Sequence, residues 1–224
     1  MKIASFLRQA HDKEVPLYDF TNSTLEIKLG YRTIFTIPFK LSTMTRFELQ
    51  PLTLKNELVQ LQPLADDDFE RLYKVASDPM IWEQHPNKER YQRAVFENYF
   101  TGAMQSGGAF VICDAKTGEA IGSSRFYEHD PVVGNIKIGY TFLARNRWGG
   151  PYNRTVKTLM LDHAFRFVDV VVFHIGAQNI RSQMAIEKLG ARKTGEIEIE
   201  YFGEPKRLNC VYQVDKKDWE KVEG

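Results

Sequence analysis

Between Asn56 and Leu64 the chain reads NELVQLQPL, where apolar and polar side chains alternate. A period of two marks a strand with one buried face. ADDDFERLYKVASD then shifts the period: Phe69, Leu72, Tyr73 and Ala76 share one side of a helix whose N-terminus carries the aspartates. NKERYQRAVFENYFTGAMQSGG repeats the helical spacing through Tyr91, Val95, Phe96, Tyr99 and Phe100 and stops at Gly107 and Gly108. Three strand-like runs follow, AFVICDA, AIGSSRFYEH and NIKIGYTFLA, with AKTGE and DPVVG as the turns between them. A helix is predicted within 152–168, with Val156, Leu159, Met160, His163, Ala164 and Phe167 along one stripe. VVVFHIGA reads as a buried strand and IRSQMAIEKLG as a short helix closed by Gly190. Two strands near 192–202 and 206–214 and a last turn or short helix in VDKKDWEKV complete the pattern. The order β-α-α-β-β-β-α-β-α-β-β predicts a mixed α/β domain in which an antiparallel meander feeds a βαβ unit.

Residues 1–43 differ from this. They hold short apolar bursts such as RTIFTIPFKL but no sustained period that would bury a face of their own. The functional domain is therefore expected over 44–224. Residues 1–43 are expected to be a loosely attached extension, or the product of a start codon upstream of Met44. The N-terminus has no apolar signal region and soon carries Asp12 and Glu14, and no purely aliphatic-aromatic run is longer than VVVF. A leader and a bilayer span are both disfavoured, and a cytoplasmic protein is expected.

The 224 residues suit one large domain or one domain with an appendage. A net charge of +1 supplies no global field to recruit nucleic acid or an anionic membrane, so any anion site must be local. Cys113 and Cys210 stand far apart with no zinc or CxxC spacing. They are expected to be buried thiols, with no metal site.

One such local site is RNRWGGPYNRTVK, Arg145 to Lys157, where a strand gives way to a helix through two glycines and a proline. Free N–H groups at a helix start, backed by the helix dipole, bind anions. Bare backbone at Gly149 and Gly150 allows close approach, and Arg145, Arg147 and Arg154 add charge. The chemistry suggested is a phosphate or pyrophosphate. A tight strand-to-helix connection is the alternative, since neither GxxxxGK[ST] nor GxGxxG is present.

Three blocks together carry a resemblance. KIGYTFLARNRWGGPYNRTVKTLMLDHAF, AQNIRSQMAIEKLGARKTG and LQPLADDDFERLYKVASD resemble the signature segments of the GNAT superfamily of acyl-CoA-dependent N-acetyltransferases. The branch is the one that includes enzymes acetylating the N-termini of ribosomal proteins. The similarity covers about residues 57–214, and the first 43 have no counterpart. It implies a mostly antiparallel sheet in which strands through 136–143 and 170–176 run parallel and splay at their C-terminal ends. Pantetheine would bond the exposed edge at Phe142 and Leu143, and the loop 148–154 would wrap the pyrophosphate of acetyl-CoA. The implied cofactor-binding residues are thus Phe142, Leu143, Trp148, Gly149, Gly150, Tyr152, Asn153, Arg154 and Asn179. Pro151 stands where relatives have a second glycine and offers no N–H, so the donors are expected at Gly150, Tyr152, Asn153 and Arg154.

Asn179 also sits at a helix N-cap by sequence. Ser182, in the first turn of that helix, is the implied general acid for the departing sulfur. Relatives often carry Glu before IGY; here that residue is Lys137, which leaves Glu128, with His129, as the candidate base. His174 reads as a core histidine, and Arg181 and Lys188 as a solvated helix face. The reaction implied is direct attack of a primary amine, from a protein N-terminus or a small molecule, on the acetyl thioester. A monomer or homodimer is expected. A catalytically inactive CoA-binding sensor or interaction protein is the alternative, favoured by Lys137 and Pro151.

Overall fold

The computed structural model describes residues 17–21, 24–29, 32–38 and 47–219. They fall into two compact units divided between Thr45 and Arg46. The first is an antiparallel meander of β1 (Leu17–Thr21), β2 (Thr24–Leu29) and β3 (Arg32–Pro38). The apolar bursts of this region are therefore strands. Each is long enough for a two-residue alternation but too short to show in a long window. Met1 and Met44, on which the two explanations of this segment turn, lie outside the described residues.

The second unit follows the predicted order throughout. It contains β4 (Val59–Pro63), α1 (Phe69–Ala76), α2 (Arg93–Ser106), β5 (Ala109–Asp114), β6 (Ala120–Asp130), β7 (Asn135–Leu143) and α3 (Tyr152–Ala164). Then come β8 (Val170–Gly176), α4 (Ile180–Glu187), β9 (Arg192–Ile199), β10 (Arg207–Asp215) and α5 (Lys216–Trp219). The seven strands form one sheet in the order β4-β5-β6-β7-β8-β10-β9. Within this sheet only the β7–β8 pairing is parallel.

Alternation in β5 shows why the sheet is covered on both faces. Phe110 and Ile112 join Val156, Met160 and Leu161 of α3, whereas Ala109, Val111 and Cys113 join Leu72 of α1 and Phe96 of α2. Both cysteines are buried free thiols. The run read as one helix from Asn87 onward is divided. Lys88–Tyr91 is a 3-10 turn capped by Asn87 Oδ1, and Gln92 is extended (ψ 135°), so α2 starts at Arg93. α2 ends on Gly107 at φ 62°, a left-handed cap that glycine adopts without strain.

Candidate functional site

The centre of the sheet is where its pairing fails. β7 and β8 pair only through Asn135/Val170, Ile136/Val171 and Lys137/Val172. Beyond that, β8 keeps its bonds to β10 as far as Gly176, and β7 keeps its bonds to β6 as far as Leu143. Each strand continues, but without the other. The cause lies in β7, where the four residues from Gly139 to Phe142 are matched by three from Ser123 to Arg125. The extra residue makes a bulge, which bends a strand and increases its twist. Tyr140 sits in it at φ 51°, a left-handed conformation unusual for a ring-bearing residue. The opening is a cavity of about 230 Å³.

At one end of the cavity lies the predicted anion loop. A 3-10 turn, Arg145–Arg147, follows β7, and Pro151 is the N-cap of α3. The first bond of α3 runs from Thr155 N–H to the Pro151 carbonyl, at 2.9 Å. The N–H groups of Tyr152, Asn153 and Arg154 therefore lack helical partners. Proline at the cap removes no donor from that first turn. Gly149 has φ 72°, and a side chain on Gly150 would find only Tyr152, 3.9 Å away. Trp148 fastens the loop to the sheet by donating its indole N–H to the Leu143 carbonyl at 2.9 Å.

Phe142, Leu143, Trp148, Gly149, Gly150, Asn153, Asn179 and Ser182 all line the cavity. The side chains of Tyr152 and Arg154 do not. The Tyr152 hydroxyl donates to Asp114 (3.2 Å) and accepts from Arg147 (2.9 Å), and Arg154 points to solvent. Of these two residues, only the backbone N–H groups remain candidates for the site. Across the loop, Asn179 caps α4 by accepting the Ser182 N–H at 3.2 Å, which holds the Ser182 hydroxyl at the cavity wall. Arg181 is not on a solvated face: its guanidinium stacks on Trp148 at 3.8 Å and donates to the Ile81 carbonyl at 3.2 Å. Burial pushes its pKa down.

The opposite end of the cavity is built from side chains that no single motif contains. Arg90, 2% exposed, donates through Nε to Glu204 (2.7 Å) and through a terminal nitrogen to the same carboxylate (2.6 Å). Its other terminal nitrogen reaches His85 Nε2 at 3.1 Å. Because an arginine can only donate, His85 Nε2 is the acceptor there, while Nδ1 faces the Asn87 backbone, 3.0 Å from its carbonyl and 2.9 Å from its N–H. Burial, then the Arg90 charge, hold the His85 pKa far below its usual value. Tyr127, Tyr140 and Tyr201 complete the wall, all with pKa values raised, first of all by burial. His174 lines it as well, lowered to about 4 by burial and then by the Lys137 charge, so it is neutral at pH 7. Glu128 does not reach the wall. It occupies a second bulge, in β6, at φ 49°, with its carboxylate 63% exposed and ion-paired to Lys137.

Lys157 is a site residue that the sequence reading passed over. It is 3% exposed on α3, lines the cavity, and donates to Ser124 Oγ (3.2 Å) and to Thr141 Oγ1. Among the described residues no carboxylate offsets its charge, and burial lowers its pKa to about 7. A signal was present: Val156, Lys157, Met160, Leu161, His163 and Ala164 form the buried stripe, in which lysine is the one side chain with a full charge among apolar neighbours and a histidine.

An opened parallel pair ending on a helix with free first-turn amides suits a thioester arm joined to a diphosphate. The acetyltransferase (GNAT) domain family matches residues 59–192. This chain belongs to the GNAT acetyltransferase family. No curated protein matches it by sequence. Among solved structures, an acetyltransferase from T. thermophilus is 28% identical, with TM-score 0.60 over 75% of this chain and 92% of that one. Mycobacterium smegmatis RimJ in complex with CoA-disulfide is 18% identical, with TM-score 0.56 over 71% and 83% of the two chains. Spermidine N-acetyltransferase from Vibrio cholerae, in complex with CoA and spermine, is 17% identical, with TM-score 0.56 over 73% and 99%. The last two show the shared fold. Membership of the GNAT family accords with acetyl transfer from acetyl-CoA and with the opened strand pair. Among the described residues no group of side chains suits a metal ion, and no helix is long and apolar enough to cross a membrane.

Proposed function

We propose that this chain transfers the acetyl group of acetyl-CoA to a primary amine by direct attack. The observation that supports this most is the loss of β7–β8 pairing after Lys137/Val172, although β8 continues to Gly176 and β7 to Leu143, from which the loop leads to the free amides of α3. Bound acetyl-CoA supplies the activated acetyl thioester. The N–H groups of Gly150, Tyr152, Asn153 and Arg154 hold the diphosphate, with Arg147 and Arg181 adding charge beside them. The open edge of β7 at Phe142 and Leu143, with Asn179 across the gap, holds the pantetheine amides. A backbone N–H near Leu143 stabilises the oxygen on which negative charge develops. The Ser182 hydroxyl gives its proton to the departing sulfur.

The amine enters from the other face of the sheet, between Trp82, Tyr127, Tyr140 and Tyr201. An ammonium has no free lone pair, so it must lose a proton before attack. A desolvated chamber beside Arg90 itself disfavours the ammonium, so a weak base suffices. Glu128, exposed and ion-paired to Lys137, is the candidate base and takes the proton through water. A thiol-release assay with acetyl-CoA and a panel of amines tests the reading. CoA-dependent release with at least one amine supports it. CoA binding without release for any amine would make the protein the sensor that Lys137 and Pro151 favoured.

A further inference from the structure

The acceptor chamber has an electrostatic signature that bears on its substrate, given the reading above. Among the described residues lining the cavity there is no aspartate or glutamate. On the α1/α2 face, the cations near the chamber are Arg90, Arg125 and Lys137, and the carboxylates are Glu204 and Glu128. Glu204 is held by Arg90, and Glu128 by Lys137. Arg125 is left over. It is 3% exposed and donates only to the carbonyls of Gly102 (2.8 Å) and Tyr99 (3.4 Å), and its Nε has no partner. The chamber side thus carries a net positive charge.

The aromatic surfaces do not offset this. Ring faces attract cations, but apart from Tyr201 the chamber's aromatic rings already lie near one, Tyr127 with Lys137 at 6.0 Å. The Arg90 guanidinium lies 5.6 Å from the Trp82 ring and 5.1 Å from the Tyr99 ring. That of Arg125 lies 3.8 Å from the Tyr140 ring. A second ammonium entering here would meet two buried guanidiniums and no unengaged carboxylate. An anion would meet Arg90, which has two N–H groups beyond the three given to Glu204 and His85.

We propose that the acceptor is a primary amine carrying a carboxylate within a few bonds of its nitrogen, and that polyamines are excluded. The inference rests on the acetyltransferase reading but is tested separately from it by binding. The full-length protein saturated with CoA is titrated calorimetrically with C-terminally amidated Ser-Glu-Ala, Ser-Ala-Ala and Ser-Lys-Ala, with free serine, and with spermidine. Affinity is expected to fall from the Glu to the Ala to the Lys peptide, with spermidine at least about 100-fold weaker than the Glu peptide. Free serine binding as well as the Glu peptide identifies the amino acid as the source of the carboxylate; serine binding far more weakly identifies a peptide N-terminus. Equal or tighter binding of the Lys peptide or spermidine overturns the proposal, as does failure of every amine to bind. Binding in the expected order with no acetyl transfer leaves the proposal standing and removes the enzyme reading.

His174→Glu supplies the missing carboxylate at the chamber wall. It is expected to improve the Lys-to-Glu peptide ratio by about tenfold or more. An unchanged ratio in a folded His174→Glu protein counts against the proposal.

Discussion

The two ends of the cleft are made of different material. At the α3 end, the proposed recognition falls mainly to the main chain, at Gly149, Gly150 and three first-turn amides, with Asn179, Arg147 and Arg181 beside them. At the α1/α2 end it falls to side chains drawn from the 79–91 segment, β6, β7, β8 and the β9–β10 loop. Backbone recognition suits a ligand that is the same throughout a family. Side-chain recognition lets the acceptor differ between members while the sheet stays fixed. The Arg90–Glu204 pair, 114 residues apart in sequence, shows how long-range the second kind is.

The largest effect should come from breaking that pair. Glu204→Ala leaves a buried arginine uncompensated and is expected to cost about 3–5 kcal/mol in urea unfolding. The double change Arg90→Met with Glu204→Met should recover most of this, because it removes both charges together. A loss under about 1 kcal/mol in Glu204→Ala would mean that the chamber does not depend on this pair.

Lys157 sharpens the contrast from beneath the sheet. Its folded pKa of about 7 lies below its usual 10.5. Below pH 7 both states hold the proton, and the full cost of burying the charge applies. Between the two values the unfolded chain still holds a proton that the folded chain has lost, so stability rises with pH. Lys157→Met is therefore expected to stabilise the protein by about 2–4 kcal/mol at pH 6, a gain that shrinks toward pH 10. Thermal unfolding of both proteins across that range checks it. A gain independent of pH would show that the lysine is not titrating in the fold.

Smaller effects should separate the two roles on α4. Asn179→Ala removes a cap, costs about 1 kcal/mol of stability, and weakens CoA binding about tenfold. Ser182→Ala should leave the CoA Kd unchanged and lower kcat about tenfold. Equal CoA affinity in wild type and Asn179→Ala would remove that residue from the site.

The same division explains what the sequence disclosed. Element order, the glycine loop before α3 and the Asn179 cap are local: each is written in periodicity, glycine placement or a cap residue within a few positions. The splay of β7 from β8 was legible through the family resemblance, but its cause was not. The bulge at Tyr140 leaves the alternation of NIKIGYTFLA looking regular. Arg90 appeared as one charge in a polar run, and its burial depends on Glu204 and His85, which no local window contains. Glu128 stands next to the strand end in sequence, yet a bulge sends its carboxylate to solvent and to Lys137. Residues 1–43 show the limit from the other side: five- to seven-residue strands alternate too briefly to be told from isolated apolar bursts.

The central claim is that the unpaired half of β7 and the start of α3 form one continuous binding surface. Residue-resolved hydrogen exchange with and without CoA measures it directly. The account predicts new protection at backbone amides within 138–143 and 150–154 together, with the paired stretch 135–137 unchanged. Unchanged exchange in both segments at saturating CoA, or protection confined to other elements, would contradict it.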